Sequence, residues 1–155
     1  MDNNNILTAL GALLGTFGGV AGIISIFEIH MNFRNNRFHA IDEYLKGFEE
    51  PGFTAARAAV FKYKGMWNID KDMATVVNYY HHWGILAKKH FLPLSVFKEG
   101  SSESVIRLYE KTEAYIKERR EKGDKTYASG FTWLYITLKK NKLKKELREL
   151  KSSLS

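Results

Sequence analysis

Residues 6–27 read ILTALGALLGTFGGVAGIISIF, 22 residues without a charge. At about 1.5 Å of rise per residue, such a helix covers a hydrocarbon core of about 30 Å with a little tilt. The main competitor is a secretory signal peptide, which needs a basic start and a small-residue cleavage site. The chain begins Met1-Asp2-Asn3-Asn4-Asn5, with no Lys or Arg. A helix buried in an oligomer is the third option. The stretch predicts a retained transmembrane helix over about residues 6–29, within an anchor of residues 1–33.

The flanks set an expected orientation. Arg34 and Arg37 follow the stretch and no basic residue precedes it, so the positive-inside rule places the N-terminus outside and the rest in the cytoplasm. The expected location is the bacterial inner membrane, single-pass. Gly11, Gly15 and Gly19 are four apart, as are Gly18 and Gly22. Small residues at that spacing let helix backbones approach in lipid, although glycine is also simply common in membrane helices.

The remaining chain is basic. Of its 155 residues, the chain has 24 Lys+Arg against 17 Asp+Glu. Residues 1–33 hold Asp2 and Glu28 and no Lys or Arg, so residues 34–155 carry +9 over 122 residues. That balance predicts an anionic partner: a nucleotide, nucleic acid or an anionic lipid surface. Zero cysteines exclude disulfides, Cys-ligated zinc and thiol nucleophiles.

The periodicity is helical almost throughout, with no sustained alternation, so the expected fold is all-α. A first helix runs to about Lys46 and is broken at Glu50-Pro51-Gly52. Thr54 caps a helix over 55–64, ended by Gly65. Asp70 caps a third, to about Phe91. Ser101 or Ser102 caps a fourth, to about Lys122, and a fifth covers about 126–150. The whole is expected to be a single N-terminal transmembrane helix followed by a small cytosolic helical bundle, 34–155, assembled as an oligomer.

Catalytic motifs are missing. No Walker or dinucleotide glycine loop, Gly-x-Ser-x-Gly elbow or HExxH is present. Adjacent His81 and His82 point about 100° apart on a helix and are not an i, i+4 ligand pair. Carboxylates alternate with Lys and Arg at helical spacing, as surface ion pairs do. The expectation is a protein that is not an enzyme, with no metal and no cofactor.

The richest stretch is Asn78-Tyr79-Tyr80-His81-His82-Trp83, followed by Lys88-Lys89. On a wheel Met73, Val76, Val77, Tyr80, Gly84, Ala87 and Phe91 form the core face. Asn78, His81, His82, Lys88 and Lys89 form the other. An amide, two imidazoles and two ammonium groups suit phosphates and base edges, and Tyr79 and Trp83 at the flanks suit stacking on a base. The plainer alternative is a solvated face with its aromatics in the core. Arg57, Lys62 and Lys64 add cations on the preceding helix, where a packed helix with exposed bases is again the plainer alternative. Trp133 and Tyr135 are assigned to the core, and Trp67 fits core or interface.

Residues 138–151, LKKNKLKKELRELK, carry seven basic and two acidic residues, net +5. Leu143, Leu147, Leu150 and Leu154 are spaced four, three, four, as in a short coiled-coil stripe. A packed helix with a solvated basic face, an oligomer contact, and a contact with lipid or nucleic acid all fit.

The glycine-rich span, Arg34 and Arg37 behind it, the small basic helical domain and the stretch NYYHHWGILAKKHFLPLSVF resemble the accessory membrane effectors of type III CRISPR systems. The layout is also similar to small bacterial families with one N-terminal span, a helical domain and no assigned function. The resemblance to the effectors implies a cytosolic oligomer, a tetramer, that binds a cyclic oligoadenylate (cyclic tetra-adenylate) and signals to spans that perturb the lipid bilayer, with no DNA or long RNA as partner. The residues equally fit a self-associating single-span adaptor that recruits a protein partner through the leucine stripe, or a pore-forming toxin that needs no ligand. The resemblance brings no motif that transfers binding residues, so the candidates Arg57, Lys62, Lys64, Asn78, His81, His82, Lys88 and Lys89 rest on the wheel alone.

Overall fold

The structure, a computed structural model, describes residues 31–32, 34–65, 68–97 and 102–153. The chain divides into two compact units, residues 1–39 and residues 40–155. In the first, the described residues 31–32 and 34–39 are helical. The second contains α1 (40–49), α2 (Pro51–Lys62), α3 (Asp70–Lys88), a 3-10 turn (Leu94–Phe97), α4 (Ser102–Glu121) and α5 (Ser129–Ser153). Among the described residues there is no strand.

Among those residues, too, no helix is long and apolar enough to cross a membrane. The expected architecture is corrected on this point. What the structure supports is an all-helical fold with no transmembrane helix among the described residues, and the single-pass inner-membrane location that rested on such a helix goes with it. Residues 6–29, where the span and its glycine faces were read, lie outside the described residues, as does Trp67.

The expected break falls at Glu50, which is not helical, and Pro51 opens the next helix directly behind it. Proline suits the first turn because its missing N–H has no partner there in any case. The Glu50 carboxylate caps the helix by accepting the Phe53 N–H at 2.8 Å. Thr54 sits inside the first turn, its N–H given to the Glu50 carbonyl. α2 therefore begins four residues earlier than Ala55, and its chain leaves helical geometry at Tyr63.

α3 buries Met73, Val76, Val77, Tyr80, Gly84 and Ala87, the face its periodicity predicts, and adds Trp83. Phe91 departs from that face, at 42 % exposure. The helix ends at Lys88, and His90 takes the left-handed conformation, φ 64°. The Phe91 N–H returns to the Leu86 carbonyl at 2.9 Å and the His90 N–H to Ala87 at 3.1 Å. This Schellman closure turns Phe91 outward and gives its place to the buried Leu92. A side chain in this conformation costs about 1 kcal/mol, which glycine avoids. His90→Gly is expected to stabilise the chain by about that amount in urea titration; a loss of stability would mean that the imidazole itself holds the turn.

α4 and α5 lie antiparallel. Tyr109 faces Thr132, their hydroxyls 3.1 Å apart, and the Tyr109 and Tyr135 rings stack at 4.2 Å. Arg120 closes the connection, donating from Nε to the Tyr127 carbonyl at 2.9 Å and from Nη2 to Thr132 Oγ1 at 2.8 Å. α3 crosses α5 where Gly84 meets Gly130, backbone against backbone. A Cβ on Gly84 would overlap the Gly130 carbonyl, and one on Gly130 would overlap the His81 carbonyl and reach Ile85 N at 3.0 Å.

Candidate functional site

The Gly84–Gly130 crossing places the last turns of α3 against the first turn of α5. A groove of about 330 Å³ opens beside it, lined by Ile85, Lys88, Lys89, Ser129 and Gly130. Lys88 and Lys89 are exposed. The first turn of α5 contains no acidic residue, so the positive end of that helix is uncompensated within its own sequence. Two lysines and a helix N-terminus thus line one groove that has no carboxylate among its described lining residues. The same lysines also sit favourably at the C-terminal end of α3.

His81 stands one turn before this groove and ties the two helices together. The Gly130 N–H donates to its Nδ1 at 3.0 Å. That bond requires a bare Nδ1, so the folded chain holds the neutral ring with its proton on Nε2. Burial lowers its pKa from 6.5, neighbouring His82 lowers it further, and Asp124 opposes them. The unfolded chain protonates this ring near the ordinary value, while the folded chain resists. The stability contributed by His81 is therefore full well above pH 6.5 and drains as pH falls through that value toward the depressed folded pKa. Urea midpoints taken between about pH 7.5 and 5 are expected to fall on acidification, with a shallower fall in His81→Gln. Equal slopes in the two proteins would remove His81 from the effect.

The other expected site residues scatter. Asn78 and His82 are exposed on the outer side of α3. Lys62 and Lys64 are exposed, and neither they nor Arg57 line the groove. The Arg57 guanidinium lies over the Phe48 ring at 4.0 Å and near Phe53 at 5.8 Å. It caps an aromatic cluster that includes both expected stacking residues. Tyr79 stacks on Phe53 with centroids 3.9 Å apart and donates its hydroxyl to the Tyr44 carbonyl at 2.7 Å. Trp83 is buried edge-on to Tyr44 at 5.5 Å. Neither ring is presented to a ligand. Tyr80, in the same cluster, has a buried hydroxyl without a hydrogen-bond partner of good geometry among the described residues. Burial pushes its pKa up to about 12, with the Arg57 charge opposing.

A second cationic groove, of about 620 Å³, lies between the start of α4 and α5. Its lining includes Ser102, Asn141, Lys142, Lys144, Lys145 and Arg148. Lys142 is paired there with Glu103 at 2.6 Å. The basic run 138–151 signals these residues, but the side on which they gather depends on where α4 packs. Among the described residues no cluster of three His, Asp or Glu could hold a metal ion.

Comparison with known proteins gives one family. No curated protein and no solved structure matches the chain. The model of the domain of unknown function DUF4760 matches residues 15–138, from within the apolar N-terminal stretch to the last buried residue of α5. With most of its length covered by that model, the chain belongs to the DUF4760 family.

Proposed function

We propose that the compact unit 40–155 is a non-catalytic binding module for a phosphate-bearing nucleotide, held at the Lys88–Lys89 groove. The observation that carries this reading is the convergence of two exposed lysines and the start of α5 on a groove lined by no carboxylate among the described residues. A phosphate there answers both the ammonium groups and the helix end. Cyclic tetra-adenylate is the first ligand to test, because of the resemblance to effectors that sense it. The role proposed with it is that of a sensor in antiviral defence, with ligand binding as the signal.

The test is calorimetry of the full chain with cyclic tetra-adenylate and its linear counterpart at two salt concentrations. Saturable binding of the cyclic form that weakens with salt is expected. Lys88→Glu/Lys89→Glu should weaken it by at least about tenfold, since two attractive charges become repulsive. Lys144→Glu/Lys151→Glu, on the other cationic face, should leave it in place. Absence of binding would overturn the reading. Binding that ignores Lys88 and Lys89 but follows Lys144 would move the site to the α4–α5 groove.

A further inference from the structure

We propose that the last turns of α5, residues 139–153, are a docking surface for an acidic amphipathic helix of another protein.

α5 outruns its neighbour. Glu110 pairs with Lys139 at 3.3 Å, and Glu103, in the first turn of α4, pairs with Lys142 at 2.6 Å. Since the two helices are antiparallel, α4 starts about level with Lys142, and beyond it only Ser102 borders the groove that reaches Arg148. Residues 143–153 run on for about 16 Å with every side chain exposed. The family match stops at Leu138, which is also the last buried residue of the helix. The overhang is thus no part of the packed core.

Its surface has two adjacent stripes. Leu143, Leu147 and Leu150, exposed by 54–59 %, fall within an arc of about 60°. Their spacing of four and three is that of the d and a positions of a heptad. Beside them Lys140, Lys144, Arg148 and Lys151 fall within an arc of about 80°. None of these four cations makes an ion pair among the described residues, whereas Lys139, Lys142 and Lys145 do. An apolar seam with cations along one side matches a helix that has an apolar seam with acids along one side.

The charge pattern chooses between possible occupants. A second copy would set one +5 segment against another. A bilayer of anionic lipid would meet cations on one flank of the leucines but Glu146 on the other, where Lys139 is already held by Glu110. A separate acidic helix meets the cationic flank without having to cover the other. This surface is distinct from the Lys88–Lys89 groove, so either proposal stands if the other fails.

The test uses the full chain and two synthetic peptides of about four heptads, both with Leu at a and d, one with Glu at e and g and one with Lys. The acidic peptide is expected to bind at least about tenfold more tightly than the basic one. Leu147→Asp should cost at least about tenfold, and Lys144→Glu/Lys151→Glu, which leaves the stripe of four with no net charge, should abolish the preference. All three positions are exposed, and unchanged thermal unfolding of the variants confirms an intact fold. Any of three results overturns the proposal: acidic-peptide binding that ignores Leu147→Asp, self-association of the chain through the same leucines, or Leu147-dependent binding to phosphatidylglycerol–phosphatidylcholine vesicles without discrimination between the peptides.

Discussion

Gly84→Ala is expected to cost about 3 kcal/mol or more, enough to unfold much of the protein at moderate temperature. The new methyl would occupy the space of the Gly130 carbonyl carbon and oxygen. Those atoms belong to the backbone of α5, which cannot rotate away as a side chain does. Relief requires α3 and α5 to separate, and separation weakens the bond from Gly130 N–H to His81 as well. Gly130→Ala should behave alike, since its methyl would meet the His81 carbonyl and Ile85. Asn78→Ala, on the exposed side of α3, is the control and should stay within about 0.5 kcal/mol. Urea unfolding of the three variants decides the matter. A Gly84→Ala protein as stable as the Asn78→Ala protein would mean that the crossing is looser than the structure has it.

That crossing also marks where reading the chain residue by residue runs out. The helical period finds most of the buried face of α3, because burial on one helix repeats every three or four residues. It places Gly84 on that face but says nothing of Gly130, which becomes its counterpart only when α5 folds back. Tyr79 and Trp83 illustrate the same limit. As neighbours of a polar strip they suit ligand stacking, but their partners Tyr44 and Phe53 come from α1 and α2 and draw both into an aromatic cluster. Arg57 is recruited into that cluster by the Phe48 ring. Pro51 has two local meanings, stop and start, and both hold: α1 ends just before it, and the Glu50 carboxylate caps the helix it opens. Of the expected site, Lys88 and Lys89 do share a groove, because a two-residue cationic step needs no long-range information. Its other wall, Ser129 and Gly130, comes from α5 and carries no charge to betray it.

Phe131→Ala and Leu147→Ala divide α5 into a half that holds the core together and a half that lies outside it. Phe131 is completely buried. Its ring stacks on Tyr80 at 5.0 Å and meets Tyr109 edge-on at 5.1 Å, linking α3 and α4 through α5. Removing it leaves a cavity walled by two rings that belong to different helices and cannot both close in, so a cost of about 4 kcal/mol is expected. Tyr80 would also lose its stacking partner. Leu147 is a residue of similar hydrophobicity four turns along the same helix, yet it is 57 % exposed. Its truncation should move stability by no more than about 0.5 kcal/mol. Thermal and urea unfolding of the two variants, read beside peptide binding, separates the roles: Phe131→Ala unfolds, and Leu147→Ala unfolds no more easily but binds the acidic helix less. A stability loss of about 2 kcal/mol in Leu147→Ala would show that something in the chain already covers the leucine stripe, and the stripe would then belong to the core rather than to a partner.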